Sequence, residues 1–133
     1  MSSVKEAENP EHTKLVKGLI EYLRQQGFET VCAAYESYTR CAAIQERVPD
    51  VMGKNAQGLV AIGEAKTCDD LDNDRTNDRL KLFSSCAMGS GSLEGQIIPF
   101  YIGIPKDCVG QLKQRLTALG IDRKLNVHIV HKK

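Results

Sequence analysis

Between Pro10 and Gln26, Leu15, Val16, Leu19, Ile20 and Leu23 recur at helical spacing, which predicts an amphipathic helix with one apolar stripe. Asn9 stands as its N-cap, Pro10 at the first helical position where a missing N–H costs nothing, and Gly27 as the left-handed stop. Phe28 to Tyr35 reads as a strand, and the polar stretch Glu36 to Glu46 as a loop or irregular strand end. Two short apolar runs follow, Val48 to Gly53 and Leu59 to Lys66. The polar, glycine-ended link Lys54 to Gly58 joins them in the pattern of a β-hairpin. Thr76 to Ala87 carries Leu80, Phe83, Cys86 and Ala87 at helical spacing, and Met88 to Gln96, with its glycines and serines, reads as a flexible connection. Ile97 to Ile104 is a buried-strand pattern stopped by Pro105. Val109, Leu112, Leu116 and Leu119 form the face of a third helix closed by Gly120, and Asn126 to Val130 makes a last strand. The order is helix, three strands, helix, strand, helix, strand, without repeats or an internal linker. The expectation is a single α/β domain over 1–133, one mixed sheet flanked by helices.

A chain of 133 residues with 41% hydrophobic and 26% charged positions buries a core without staples, which excludes wholesale disorder. No apolar run approaches the ~18 residues of a membrane span, and Met1 to Pro10 is polar rather than a leader. No membrane association and a cytoplasmic location are therefore expected. The five cysteines, Cys32, Cys41, Cys68, Cys86 and Cys108, are odd in number and contain no C-x-x-C pair, so they read as reduced thiols rather than a disulfide framework or zinc knuckle. A net charge of +1 excludes nucleic-acid binding by bulk positive field. Its distribution is uneven: five basic against eight acidic residues over 49–94, but seven against two over 95–133. Carboxylates in the middle suit a cation, and the basic last third suits a polyanion.

The run Leu59 to Lys66 alternates Val60, Ile62, Glu64 and Lys66 on one face with Leu59, Ala61, Gly63 and Ala65 on the other. Both faces begin apolar, so the strand is expected to be buried on both sides, and an acid and a base at its end sit at the margin of the core. Across the hairpin lies Pro49-Asp50. If directly opposed residue numbers sum to an even value, Asp50 shares the face of Glu64 and Lys66. Two adjacent carboxylates resist joint ionisation, and a divalent cation reverses that balance. Mg²⁺, which needs only one or two protein carboxylates, fits Asp50 and Glu64 with the Ala65 carbonyl, and Mn²⁺ is the alternative. Lys66 is then placed to hold the attacking water and offset charge on a phosphate.

Pro49-Asp50, the gap, and Glu64-Ala65-Lys66 together resemble the signature of the PD-(D/E)XK nuclease superfamily. The element order is likewise similar to its restriction-endonuclease-like αβββαβ core, at the size of a Holliday-junction resolvase. The resemblance implies metal-dependent cleavage of phosphodiester bonds in nucleic acid, DNA first. Asp50 and Glu64 then take the ligand positions and Lys66 that of the catalytic lysine. An acid-x-Lys triplet arises about 1.4 times by chance in such a composition. Asp122-Arg123-Lys124 is a second one, and it is set aside because it lacks a preceding apolar strand and a paired upstream acid.

Members of the superfamily often add an acid from the first helix, which points to Glu11 and, beside it, His12, and a polar residue from the helix after the lysine, where Arg79 stands. Glu21, deeper in the first helix, is expected to face solvent. Asp70, Asp72 and Asp74 match the spacing of a calcium loop, but Arg75 replaces its glycine and Lys81 its bidentate glutamate, which excludes that reading. The acidic run is expected to lead into a helix capped by Asp74 or Thr76. His128 and His131 would face opposite sides of a strand and make a poor metal pair. Arg75, Arg123, Lys124, Lys132 and Lys133 are candidate phosphate contacts. With seven aromatics and no Trp, a base-stacking platform is not expected. A homodimer is expected, because cutting a duplex takes two sites. The alternative is a non-catalytic module that keeps the fold to bind nucleic acid or protein.

Overall fold

Asn9 accepts a hydrogen bond from the His12 amide through its side chain, and Pro10 opens helix α1 (Pro10–Gln25) as its sequence dictates. The computed structural model describes residues 9–131, so Lys132 and Lys133 lie outside the described residues. Gly27, at φ 91°, turns the chain out of α1 into β1 (Glu29–Ala33). β2 (Val51–Lys54) and β3 (Val60–Ala65) form the hairpin. Helix α2 (Asp74–Phe83), β4 (Phe100–Gly103), helix α3 (Val109–Ala118) and β5 (Val127–Val130) follow. The sheet runs β1-β2-β3-β4-β5, antiparallel from β1 to β3 and parallel from β3 to β5. It is the mixed sheet the pattern predicts. No helix among the described residues is long and apolar enough to cross a membrane.

β3 is central and buried on both sides. Its small face, Ala61, Gly63 and Ala65, lies under α1, where Val16, Leu19, Ile20 and Leu23 pack with Phe28, Val51 and Tyr101. Small residues let the helix approach closely: a Cβ on Gly103 of neighbouring β4 would stand 2.8 Å from Leu19 Cγ. Ile62 belongs to the opposite cluster, with Leu80 and Phe83 of α2, Phe100 and Ile102 of β4, and Leu112 and Leu116 of α3. Each face of the sheet therefore has its own core, and the polar end of β3 emerges where both cores stop.

Several expectations change. The cysteines are not five thiols: Cys32 is bonded to Cys41 and Cys68 to Cys108, leaving Cys86 free. Spacing carries no connectivity, and these pairs form because the β1 end meets the following loop and the turn after β3 meets the turn before α3. Paired cysteines are uncommon in a reducing compartment, so they weigh against the cytoplasmic expectation. Helix α2 is capped by the Asn73 side chain, which accepts from the Thr76 amide, rather than by Asp74 or Thr76. It stops at Phe83, four residues before Ala87, where Ser84 and Ser85 turn their hydroxyls back to the Lys81 carbonyl. Residues 88–96 form turns closed by Met88 N–H to Gln96 O and Gly95 N–H to Met88 O.

Candidate active site

The hairpin register places the acids. Val51 faces Gly63 and Met52 faces Ile62, so the next pair toward the strand end is Asp50 with Glu64, on one face as the even-sum rule requires. The Asp50 amide donates to Glu64 Oε1 at 3.3 Å, and Asp50 Oδ2 accepts from the Ala65 amide at 2.8 Å. The N–H and C=O of a strand residue point the same way, so the Ala65 carbonyl also looks toward the Asp50 side. The Asp50 carbonyl accepts from Ala34 N–H, which fixes the acid against the end of β1.

Three basic side chains, His12, Lys66 and Arg79, close on this pair. His12 Nε2 lies 3.2 Å from Asp50 Oδ2, and because an ionised carboxylate only accepts, Nε2 carries the proton. Arg79 Nη1 lies 3.0 Å from Glu64 Oε2, and Lys66 Nζ lies 3.6 Å from the same oxygen. The Glu64 side chain is 2% exposed. Burial pushes its pKa up, Asp50 pushes it further, and Lys66 and Arg79 pull it back, leaving it at about 8. Burial would raise Asp50 as well, but His12, the Ala65 amide and Lys66 outweigh that and hold it below the usual carboxylate range. Asp50 therefore ionises first, and Glu64 ionises at higher pH with Arg79 and Lys66 as its counter-charges.

The cluster forms one wall of a cleft of about 840 Å³. Arg40 from the loop after β1 and Arg75 from α2 line it too, alongside Asn9, Asn73 and Thr76. Arg40 has no periodic or motif context, and this position was not legible in the sequence. The acidic run is less of an obstacle to a polyanion than its composition suggests, since Asp72 pairs with Arg115 and Asp78 with Arg47, although Asp70 lines the cleft.

Other candidates fall elsewhere. Glu11 is exposed and lines a separate cavity with Lys14 and Leu15, because neighbouring helical positions differ by about 100° and His12 takes the site-facing direction. Lys124 donates to Ser84 O and Ser85 Oγ at the C-terminal end of α2, whereas Arg75 and Arg79 serve the cleft from the first turn and the middle of that helix. Arg123 is exposed. Glu21 is exposed as expected, and His128 stacks on Tyr101 with centroids 4.7 Å apart rather than joining a metal pair.

Among the described residues no group of three or more His, Cys, Asp and Glu side chains is arranged to hold a metal. Two carboxylates and a backbone carbonyl, all oxygen donors, nevertheless match a small hard cation that keeps most of its water. An all-oxygen donor set suits Mg²⁺ or Mn²⁺ better than zinc, which favours nitrogen and sulfur. Compared with protein-family models, curated proteins and solved structures, the chain matches none.

Proposed function

We propose that the chain is a metal-dependent endonuclease of the PD-(D/E)XK type, hydrolysing phosphodiester bonds in nucleic acid, with DNA as the first substrate. The observation that carries this is the meeting of Asp50 and Glu64 on one face, with Lys66 two residues on, at the wall of a cleft that also presents Arg40 and Arg75. The restriction-endonuclease-like reading of the fold is supported by the order of elements around the β2–β3 hairpin that bears the acids.

Asp50, Glu64 and the Ala65 carbonyl would hold Mg²⁺ or Mn²⁺. Such an ion, when bound, polarises a phosphate oxygen and makes water more acidic. His12 keeps Asp50 oriented and ionised. Lys66 presents a proton donor and a positive charge beside Glu64, which orients an attacking water and offsets charge growing on the phosphate. Arg40 and Arg75 bind neighbouring backbone phosphates and set the register of the strand. One such site per chain favours a homodimer for double-strand scission. A cytoplasmic location is the expectation of the nuclease reading, and the Cys32–Cys41 and Cys68–Cys108 bonds argue against it.

One observation favours a second reading. The acids already have basic protein partners, His12 for Asp50 and Arg79 with Lys66 for Glu64, as in the polar network of a non-catalytic binding module. Nicking of supercoiled plasmid separates the two. The nuclease reading expects cleavage that requires Mg²⁺ or Mn²⁺ and is lost in both Glu64→Ala and Lys66→Ala. Cleavage that persists in those folded variants contradicts it. DNA binding without cleavage, on duplex, branched and single-stranded substrates alike, supports the binding module.

A further inference from the structure

Glu64 Oε2 already carries a cation. Arg79 Nη1 lies 3.0 Å from it and 3.0 Å from the Val48 carbonyl oxygen, so one guanidinium nitrogen joins the acid of β3, helix α2 and the segment leading into β2. The Arg79 side chain is 13% exposed and Glu64 2%, so salt screens this contact little. It is charge-assisted and hydrogen-bonded, which makes it stronger than a surface ion pair. Lys66 Nζ, at 3.6 Å, is the looser partner of the same oxygen. A divalent ion held by Asp50 and Glu64 would share the Glu64 carboxylate with this guanidinium, and two cations on one carboxylate repel.

We infer that Arg79 is a resident counter-ion that competes with the metal for Glu64, and that cation binding releases its guanidinium into the cleft to take a phosphate oxygen of the substrate. The inference rests on the metal-site reading above and adds its regulation. Without a cation, Arg79 is a positioning residue that holds the Glu64 carboxylate and tethers Val48. With the cation in place, its planar fork is available to phosphate, the other anion it matches bidentately. Cation and phosphodiester then raise each other's affinity, because linkage is reciprocal.

The test titrates Mn²⁺ alone calorimetrically into the full chain, at alkaline pH so that protons do not compete, for wild type, Arg79→Gln, Arg79→Lys and Glu64→Gln. Removing a charge-assisted competitor should tighten Mn²⁺ binding by about tenfold or more in Arg79→Gln. Arg79→Lys keeps the charge and should fall between Arg79→Gln and wild type, and Glu64→Gln should lose the site. Wild type that binds while Arg79→Gln binds no tighter, or Arg79→Lys as tight as Arg79→Gln, overturns the inference and leaves the metal site standing. No Mn²⁺ uptake by wild type and Arg79→Gln alike overturns both. Should Arg79→Gln fail to fold, the ¹⁵N side-chain resonance of Arg79 in wild type decides during a Mg²⁺ titration. It should shift and lose protection from hydrogen exchange, and a resonance unmoved by the cation overturns the inference.

Discussion

A carboxyl group buried beside a second carboxylate makes stability depend on pH in a direction opposite to that of most salt-bridged acids. Glu64 rises from its ordinary 4.5 to about 8, through burial first and Asp50 second, against Lys66 and Arg79. Folded Glu64 therefore keeps its proton over a range in which the unfolded chain has lost it. Stability contributed by that proton is complete below the unfolded value, falls as pH rises, and levels off above the folded value. At about 1.36 kcal/mol for each pH unit between the two values, ionisation costs the fold at most about 5 kcal/mol. Gln copies the protonated acid in shape and charge. Glu64→Gln should thus match wild type in mild acid and exceed it by several kcal/mol at alkaline pH, and the Asp50 contribution, which runs the other way, largely cancels in the difference. Urea melts of both proteins in EDTA, from about pH 5 to about pH 9, measure the gap. Adding Mg²⁺ should narrow it, because a cation takes the place of the proton. Parallel stability curves, differing by less than about 1 kcal/mol throughout, would refute the electrostatic reasoning.

Three further outcomes follow from the packing and the disulfides. Gly103→Ala places a Cβ 2.8 Å from Leu19 Cγ, so overpacking should cost about 1–3 kcal/mol and lower the urea midpoint; an unchanged midpoint would show that α1 does not lie so close to β4. Purified without reductant and denatured, the chain should expose one reactive thiol, that of Cys86, to maleimide, and five after reduction. Breaking Cys32–Cys41, separation 9, should destabilise by about 2–3 kcal/mol and Cys68–Cys108, separation 40, by about 4 kcal/mol. Five thiols without reductant would remove both bonds.

The sheet and the acid pair were legible for one reason: alternation has a fixed period of two, so placing Ala61 and Gly63 under α1 forces Ile62 and Glu64 to the other face. The register sum then carries Asp50 to Glu64. Features that depend on three-dimensional meeting were not legible. His12 and Glu11 are neighbours in sequence, and only the rotation of α1 decides which reaches Asp50. The disulfides depend on loop paths, and Arg40 enters the cleft from a segment with no periodicity. Asn73 displaced Asp74 and Thr76 as the cap because helix boundaries shift by a residue or two whenever several capping side chains stand in a row. The apolar period runs past the end of α2, because Cys86 and Ala87 continue it after the serines have broken the backbone pattern.

The most direct measurement is the anomalous difference map of crystals soaked in Mn²⁺. The expected result is a peak between the carboxylates of Asp50 and Glu64 and within reach of the Ala65 carbonyl, absent in Asp50→Asn. A map with no manganese at this pair, and Arg79 still on Glu64 in crystals that remain open to solvent at the cleft, would contradict the claim that these two acids form a cation site.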